Sequence, residues 1–178
     1  MNLLLTGAFS CSGDQAAAIE SLGYLLSFLP DERGELPVSP SAIDAVVCNG
    51  LFLHHPLEKF TNLRFIQLTS SGLDRVPPDQ IRRQGIELHS ARGVYSVPMA
   101  EWAILKILEL CKKSSVFFRN QEIRVWEKQR NITELPGKKA IIIGFGDVGA
   151  EIAKRLKPFG VQVLGAGRQK KESPWLDG

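Results

Sequence analysis

The chain has 178 residues, of which 44% are hydrophobic and 23% charged, and its formal net charge is +3. This composition is typical of an ordinary globular protein, and its weak, dispersed positive charge argues against a nucleic-acid partner. The cysteines Cys11, Cys48 and Cys111 show no metal-ligand spacing, and no signal peptide or membrane span is visible, so we expect a cytoplasmic protein with no metal and no membrane partner.

Short apolar strands alternate with helical or turn-rich segments in the first half of the chain. Strands are predicted at Leu3–Thr6, Tyr24–Leu29, Ala45–Cys48, Phe65–Leu68 and Ile86–His89. Helical segments are predicted at Asp14–Leu22, Pro56–Phe60 and Pro78–Gln84. Continuous apolar strands separated by helices indicate a parallel sheet covered on both faces. We therefore predict a flavodoxin-like α/β domain over residues 1–95.

A helical region follows over residues 96–135. Pro98 suits the first turn of a helix, and apolar residues then recur at helical spacing to about Phe117. A second, more polar helix is predicted from Arg119 to Lys128. The break at Leu135-Pro136-Gly137 ends this region, which we interpret as a helical connector between two domains.

A glycine-rich turn follows the predicted strand Lys139–Ile143. Gly144, Gly146 and Gly149 match the dinucleotide-binding pattern GxGxxG, between an apolar strand and a helix. In that pattern they permit a tight turn, the approach of a pyrophosphate and close helix packing, respectively. We predict that the cofactor contacts this turn, which also contains Phe145, Asp147 and Val148. Alternatively, the glycines merely close a β-α turn, and flavin and S-adenosylmethionine enzymes use similar turns.

Arg168 follows a second predicted strand, Val161–Leu164. A site selective for NAD usually has Asp or Glu at the end of this strand, but no carboxylate occurs here before Glu172. The guanidinium of Arg168 suits the 2′-phosphate of NADP, and Lys170 and Lys171 add positive charge. We predict NADP rather than NAD, against the alternative of a solvated basic tail. Residues 136–178 thus form the first β-α-β unit of a Rossmann domain.

Three stretches, in this order, resemble the D-isomer-specific 2-hydroxyacid dehydrogenases. They are Leu68-Thr69-Ser70-Ser71-Gly72-Leu73-Asp74, Gly93-Val94-Tyr95-Ser96-Val97-Pro98-Met99-Ala100-Glu101-Trp102, and the glycine-rich turn preceded by Leu135-Pro136-Gly137-Lys138. The chain is similar to the glyoxylate/hydroxypyruvate reductase and phosphoglycerate dehydrogenase branches. Gly167-Arg168-Gln169 resembles the NADP-preferring glyoxylate/hydroxypyruvate reductases.

The resemblance implies hydride transfer between a nicotinamide and a small 2-oxo or 2-hydroxy acid. The family's catalytic arginine, acidic residue and histidine lie in the later part of its NAD(P)-binding domain, and none has a counterpart here. His54, His55 and His89 are predicted to lie at the surface or the edge of the core. We therefore expect a chain truncated inside that domain and inactive alone. The alternative is a non-catalytic dimerising or nucleotide-sensing module from a truncated gene.

The resemblance also implies a substrate loop and a homodimer. Ser71 and Gly72 follow a predicted strand at the carboxyl end of the sheet, where α/β proteins bind ligands, and Asn49 faces the same edge. We predict substrate contacts from these three residues; the alternative is an ordinary strand-to-helix turn. Phe117 and Trp126 are candidate aromatics of the dimer interface.

Overall fold

Alternating strands and helices make up residues 1–92. The structure, a computed structural model, describes every residue from Met1 to Gly178 and divides into two compact units, Met1–Arg92 and Gly93–Gly178. The first unit contains β1 (Asn2–Thr6), α1 (Gly13–Ser21), β2 (Leu25–Leu29), β3 (Ala45–Cys48), β4 (Phe65–Leu68), α2 (Pro78–Gln84) and β5 (Glu87–His89). Three short 3-10 turns complete it, at Pro40–Ala42, Leu51–Leu53 and Leu57–Lys59. The five strands are all parallel, in the order β2-β1-β3-β4-β5.

One face of this sheet carries the core of the first unit. Leu4, Val46 and Ile66 lie side by side in the register and are fully buried. They belong to a cluster that the 3-10 turns and α2 complete with Leu51, Leu57, Phe60 and Ile81. The opposite face is covered only in part, because α1 buries none of its residues. The sheet was predicted to be covered on both faces, but in the structure only one of its faces is fully covered.

The predicted elements of this unit agree closely with the structure. β3, β4 and α2 have the predicted bounds, and β1, β2 and β5 differ by a residue at their first position. α1 starts one residue earlier than predicted because Ser12 caps it: the Ser12 hydroxyl accepts from the Gln15 N–H (3.3 Å), and the Gln15 side chain accepts from the Ser12 N–H (2.9 Å). The predicted α/β class is confirmed.

The second unit combines helices with a small parallel sheet. It contains α3 (Ser96–Lys112), α4 (Ser114–Glu122), β6 (Lys139–Ile143), α5 (Asp147–Leu156) and β7 (Gln162–Ala166). β6 pairs with β7 in parallel, from Lys139 opposite Gln162 to Ile143 opposite Ala166. α5 connects the two strands, so the predicted β-α-β order is present. None of the helices in the chain combines the length and the apolar character that a membrane crossing requires.

The core of the second unit joins α3 to the β-α-β element. Ile104 of α3 packs with Ala153 and Leu156 of α5, together with Val161, Val163 and Leu135. At the rim of this core, the Arg155 guanidinium contacts the Glu101 carboxylate (3.4 Å) and also pairs with Glu151. α3 therefore packs as part of the second unit.

The prediction of one helix from Pro98 to Phe117 was wrong. α3 ends at Lys112, and Lys113 adopts a left-handed conformation (φ 52°) from which α4 starts. Apolar residues keep their helical spacing across this break, so the periodicity alone does not locate it. The second helix was also misplaced: α4 ends at Glu122, and Trp126 lies outside it, fully exposed.

Candidate functional site

The glycine-rich turn connects β6 to α5 in the second unit. Gly144 has a φ of 88°, which favours glycine, and its N–H donates to the Ala166 carbonyl (2.8 Å). Gly146 is the N-cap of α5, in an extended conformation, and no side chain caps the helix. The N–H groups of Val148 and Gly149 in the first turn therefore have no intrahelical acceptor and lie at the positive end of the helix dipole. This arrangement suits an anion.

Two of the glycines differ in what their surroundings demand. A Cβ atom at Gly149 would lie 2.7 Å from the Gly144 carbonyl oxygen and 3.2 Å from Ile142 Cγ2. Close packing of α5 on β6 therefore requires glycine at position 149. A Cβ atom at Gly146 would meet no atom within 4 Å, and the φ of Gly146 is −97°. Nothing in the chain itself explains glycine at position 146.

A cavity of about 1040 Å³ opens beside this turn. Gly144 and Gly146 form one side of it, and the segment from Gly165 to Lys171, which includes the end of β7, forms another. Arg168 lines this cavity and is exposed. No Asp or Glu side chain lines it, so its charged side chains are all basic. Four of the seven predicted cofactor residues therefore line one space, namely Gly144, Phe145, Gly146 and Arg168. The other three, Asp147, Val148 and Gly149, lie in the first turn of α5 and do not line it.

Lys171 makes a contact that the sequence did not reveal. Its ammonium donates to the carbonyl oxygen of Phe145 (2.9 Å), in the middle of the glycine-rich turn. The two residues are 26 positions apart. No sequence pattern marks this contact beyond the cluster of basic residues around Arg168.

The last residues of the chain, Leu176–Gly178, lie along the outer edge of β7. The Asp177 N–H donates to the Val163 carbonyl, and the Gly165 N–H donates to the Gly178 carbonyl (both 2.8 Å). The Asp177 carboxylate accepts from the Val163 N–H (2.7 Å) and pairs with the Lys157 ammonium (2.7 Å). The Lys157 ammonium, followed by the Val163 N–H, lowers the pKa of Asp177. These last residues are therefore anchored to the small sheet.

The opposite edge of the small sheet is open. β6 has β7 as its only neighbouring strand, so alternate N–H and C=O groups along its other edge have no strand partner. One face is bare as well, since Ile141 is 66% and Ile143 88% exposed. The small sheet therefore has both an edge and an apolar face uncovered.

In the first unit, Glu32 occupies the carboxyl edge of the sheet. Its carboxylate accepts from the backbone N–H groups of Asn49 and Gly50 (2.6 Å each) and from the buried Thr6 hydroxyl (2.7 Å). It thereby joins the ends of β1 and β3 to the segment that follows β2. The side-chain oxygen of Asn49 is buried without a hydrogen-bond partner. Only the side chain of Asn49 is left for a substrate, and that role stays a prediction.

The loop after β4 keeps its predicted binding groups accessible. Its start is fixed by a bond from the Thr69 N–H to the Cys48 carbonyl (2.9 Å), and the Ala91 N–H donates to the Ser70 carbonyl (2.9 Å). Ser71 and Gly72 are exposed, and their backbone N–H groups make no hydrogen bond within the protein. This loop presents two donors that suit a carboxylate.

The comparisons with known proteins agree with these features. Residues 104–176 match the family model described as "D-isomer specific 2-hydroxyacid dehydrogenase, NAD binding domain". This segment of the chain is thus similar to the NAD-binding domain of the D-isomer specific 2-hydroxyacid dehydrogenases. The chain is similar to the glyoxylate reductase/hydroxypyruvate reductase of Mus musculus, with 33% identity over 115 residues that cover 62% of this chain and 35% of that protein.

Two further comparisons extend over nearly all of this chain. A glyoxylate/hydroxypyruvate reductase of Arabidopsis thaliana is 25% identical over 176 residues, covering 97% of this chain and 52% of that protein. The crystal structure of a glyoxylate reductase from Paecilomyes thermophila has the same fold, with a TM-score of 0.78, 19% identity, and coverage of 97% of this chain and 57% of that one. The chain thus spans about a third to a half of these curated relatives.

The three histidines of the chain lie in the first unit, at the surface or the edge of the core, as predicted. His54 is exposed, and the His55 ring contacts the Glu32 carbonyl (3.0 Å). His89 stacks on Phe65 and contacts the Glu87 carboxylate (2.6 Å), with both side chains exposed. The contacts of His55 and His89 are thus with neighbouring residues of the first unit.

Proposed function

We propose that this chain is part of an NAD(P)-dependent 2-hydroxyacid dehydrogenase. Residues 1–95 are its flavodoxin-like substrate domain, 96–135 its interdomain helices, and 136–178 the first β-α-β unit of its Rossmann domain. The order β2-β1-β3-β4-β5 supports this assignment, because it is the strand order of flavodoxin-like sheets. The whole protein transfers hydride between the nicotinamide and a small 2-oxo or 2-hydroxy acid.

The observation that carries this proposal is the open space at Gly146. The φ of Gly144 and the packing of Gly149 explain those two glycines within the folded chain. Gly146 has neither reason, since a side chain there would enter empty space. A pyrophosphate that approaches the turn closely supplies the missing reason, because a Cβ atom would block its path.

Replacing Gly146 with serine should separate stability from nucleotide binding. Serine is a favourable N-cap residue, so the free energy of unfolding should stay the same or rise by a few tenths of a kcal/mol. The affinity for NADPH should fall by about tenfold or more, as for the loss of one good contact of about 1.4 kcal/mol. Titration of the wild type and the variant with NADPH, followed by calorimetry, measures the affinity; urea unfolding measures the stability.

Gly13→Ser is the matched control for this experiment. Gly13 is the first residue of α1, in the other unit, and a Cβ atom there also meets no atom within 4 Å. Its replacement should change neither property. Unaltered NADPH binding by Gly146→Ser, or no binding by the wild type, would contradict the proposed nucleotide site.

We also propose that the cofactor is NADP rather than NAD. Arg168 follows the end of β7, where the ribose of the adenosine would lie, and its guanidinium makes no hydrogen bond or ion pair within the protein. The planar guanidinium of an arginine can donate two parallel hydrogen bonds to a 2′-phosphate. The absence of an Asp or Glu side chain from the cavity lining removes the usual acceptor for the ribose hydroxyls of NAD.

The substrate carboxylate is assigned to the loop after β4. The two backbone N–H groups of Ser71 and Gly72 are accessible donors at the carboxyl edge of the sheet. Asn49 contributes its side-chain amide from the neighbouring strand end. This part of the site sets no limit on the length of the substrate, so its identity within the 2-oxo and 2-hydroxy acids is open.

The 178 residues alone should not turn over substrate. All three histidines belong to the first unit, and no residue of the chain is assigned to proton transfer or to holding the substrate carbonyl. Without those groups the barrier to hydride transfer stays high, since a general acid typically contributes a factor of about 10²–10⁴. Absorbance of NADPH at saturating glyoxylate or hydroxypyruvate should therefore stay constant. Sustained oxidation proportional to protein concentration would overturn this expectation.

A non-catalytic dimerising module is the second candidate function. The surface around α4 favours it: Leu110, Phe118, Ile123 and Trp126 are all more than half exposed, and Phe117 is exposed as well. Several large apolar side chains exposed in one segment of the chain favour an interface there. We propose that a second copy of the chain covers it, with Phe117 and Trp126 in the interface. The same dimer serves the dehydrogenase.

A further inference from the structure

The glycine-rich turn is tied to the loop after β7 by one side chain. Lys171 spans from that loop to the turn, and its ammonium donates to the Phe145 carbonyl (2.9 Å). The contact is exposed rather than enclosed in the core. Its neighbour Lys170 lines the same cavity but makes no such contact. Of the basic residues around the cavity, Lys171 is therefore the one placed at the turn.

The ammonium of Lys171 retains hydrogen-bonding capacity in this position. A lysine ammonium has three donors, and the Phe145 carbonyl accepts from one of them. The Phe145 carbonyl precedes the first turn of α5, whose N–H groups at Val148 and Gly149 favour negative charge. An anion bound to that helix end would thus meet a second, mobile positive charge.

The other basic residue lies on a different part of the cavity. Arg168 follows the end of β7 and has no partner in the turn. Its place corresponds to the adenosine ribose, whereas the place of Lys171 corresponds to the phosphates on the helix. The two side chains are therefore suited to different phosphates of one dinucleotide.

We propose that Lys171 is a positioning and binding residue for the pyrophosphate, distinct from the 2′-phosphate contact of Arg168. This inference rests on the proposed nucleotide site and deepens it. Lys171 holds the loop after β7 against the turn and adds its charge to a diphosphate shared by NAD and NADP. Selectivity between the two cofactors then depends on Arg168 alone.

The test compares Lys171→Met, Lys170→Met and Arg168→Met in calorimetric titrations with NADH and with NADPH. Lys171→Met keeps the length of the side chain and removes its charge, so affinity for both nucleotides should fall by about tenfold. Their affinity ratio should stay the same. Arg168→Met should lower the affinity for NADPH alone. Lys170→Met should change the affinity for either nucleotide by less than about threefold, as expected for a screened surface charge.

Two readouts distinguish binding from a merely structural role. Lys171→Arg, which retains the charge, should recover most of the affinity. The dependence of NADH affinity on salt should be weaker in Lys171→Met, because one ionic contact has been removed. A change in the NADPH/NADH ratio, or affinities equal to those of the wild type, would overturn the inference while leaving the proposed function intact. No nucleotide binding by the wild type would overturn both.

Discussion

Replacing Gly149 with valine should destabilise the second unit by about 3 kcal/mol, at the upper end of what overpacking of a well-packed site costs. The first atom of any side chain at this position would lie 2.7 Å from the Gly144 carbonyl oxygen, which belongs to the backbone and has no rotamer to adopt. Either α5 must move away from β6 or the turn must distort. Alanine introduces the same first contact, so it should destabilise by about 2 kcal/mol.

Tryptophan fluorescence during urea unfolding measures the stability of the second unit, where Gly149 lies. The three tryptophans of the chain, Trp102, Trp126 and Trp175, all lie in the second unit. Gly146→Ser is the matched control in the same turn, and its midpoint should equal or exceed that of the wild type. Gly149→Ala and Gly146→Ser with equal midpoints would show that the close approach of α5 to β6 is not what makes glycine necessary.

The contrast between Gly146 and Gly149 shows which part of the site can be predicted from the sequence. The spacing of Gly144, Gly146 and Gly149 after an apolar strand predicts the turn, because few other local structures need that pattern. The pattern does not say which glycine the fold requires and which a ligand requires. That distinction depends on the space around each Cα atom, and it appears only once β6 and α5 are packed together.

Strand positions were predictable for a similar local reason. β3 and β4 are continuous apolar segments between polar turns, and their bounds follow from composition alone. The helical region was not predictable in the same way. Lys113 takes a left-handed conformation that lysine rarely adopts, and nothing in its neighbourhood marks it in the sequence. The break between α3 and α4 therefore cannot be predicted from the periodicity of apolar residues.

Contacts between distant polar residues were the least predictable feature. Asp177 bonds to Val163 and Lys157, and Lys171 bonds to Phe145, and these partners are 14, 20 and 26 positions apart in the chain. A single charged residue in a polar segment carries no periodic signal, and its partner is fixed by the folded chain. Glu32 is the clearest case, because it lies between Asp31 and Arg33, which pair with each other at the surface.

Replacing Glu32 with alanine should destabilise the first unit by about 3–4 kcal/mol. Its carboxylate is the acceptor for two backbone N–H groups, those of Asn49 and Gly50, and for the Thr6 hydroxyl. Thr6 is fully buried and Gly50 is buried, so these donors do not regain water when the carboxylate is removed. Each buried donor left without an acceptor costs about 1–3 kcal/mol. The stability of Glu32→Gln should lie between that of the wild type and that of Glu32→Ala. The amide offers one acceptor oxygen, but its NH₂ group is a donor and faces the other backbone N–H group.

Amide hydrogen exchange of β1 and β3, followed by mass spectrometry, is the suitable measurement, because the first unit contains no tryptophan. Exchange there should accelerate in Glu32→Ala but not in Glu35→Ala, which removes an exposed carboxylate without hydrogen-bond partners. The tryptophan-reported midpoint of the second unit serves as the internal reference. Equal exchange in the two variants would show that Glu32 is dispensable.

Glu32→Ala also tests whether the Glu32 carboxylate occupies a site that would otherwise bind an anion from solution. With the side chain removed, the N–H groups of Asn49 and Gly50 form an empty pair of donors at the carboxyl edge of the sheet. Acetate, which supplies the missing carboxylate from solution, should then slow the exchange of β3 in Glu32→Ala and leave the wild type unaffected. Such rescue would identify this edge as an anion site that the chain fills with its own side chain, which explains why the accessible donors for a substrate carboxylate are those of Ser71 and Gly72 instead.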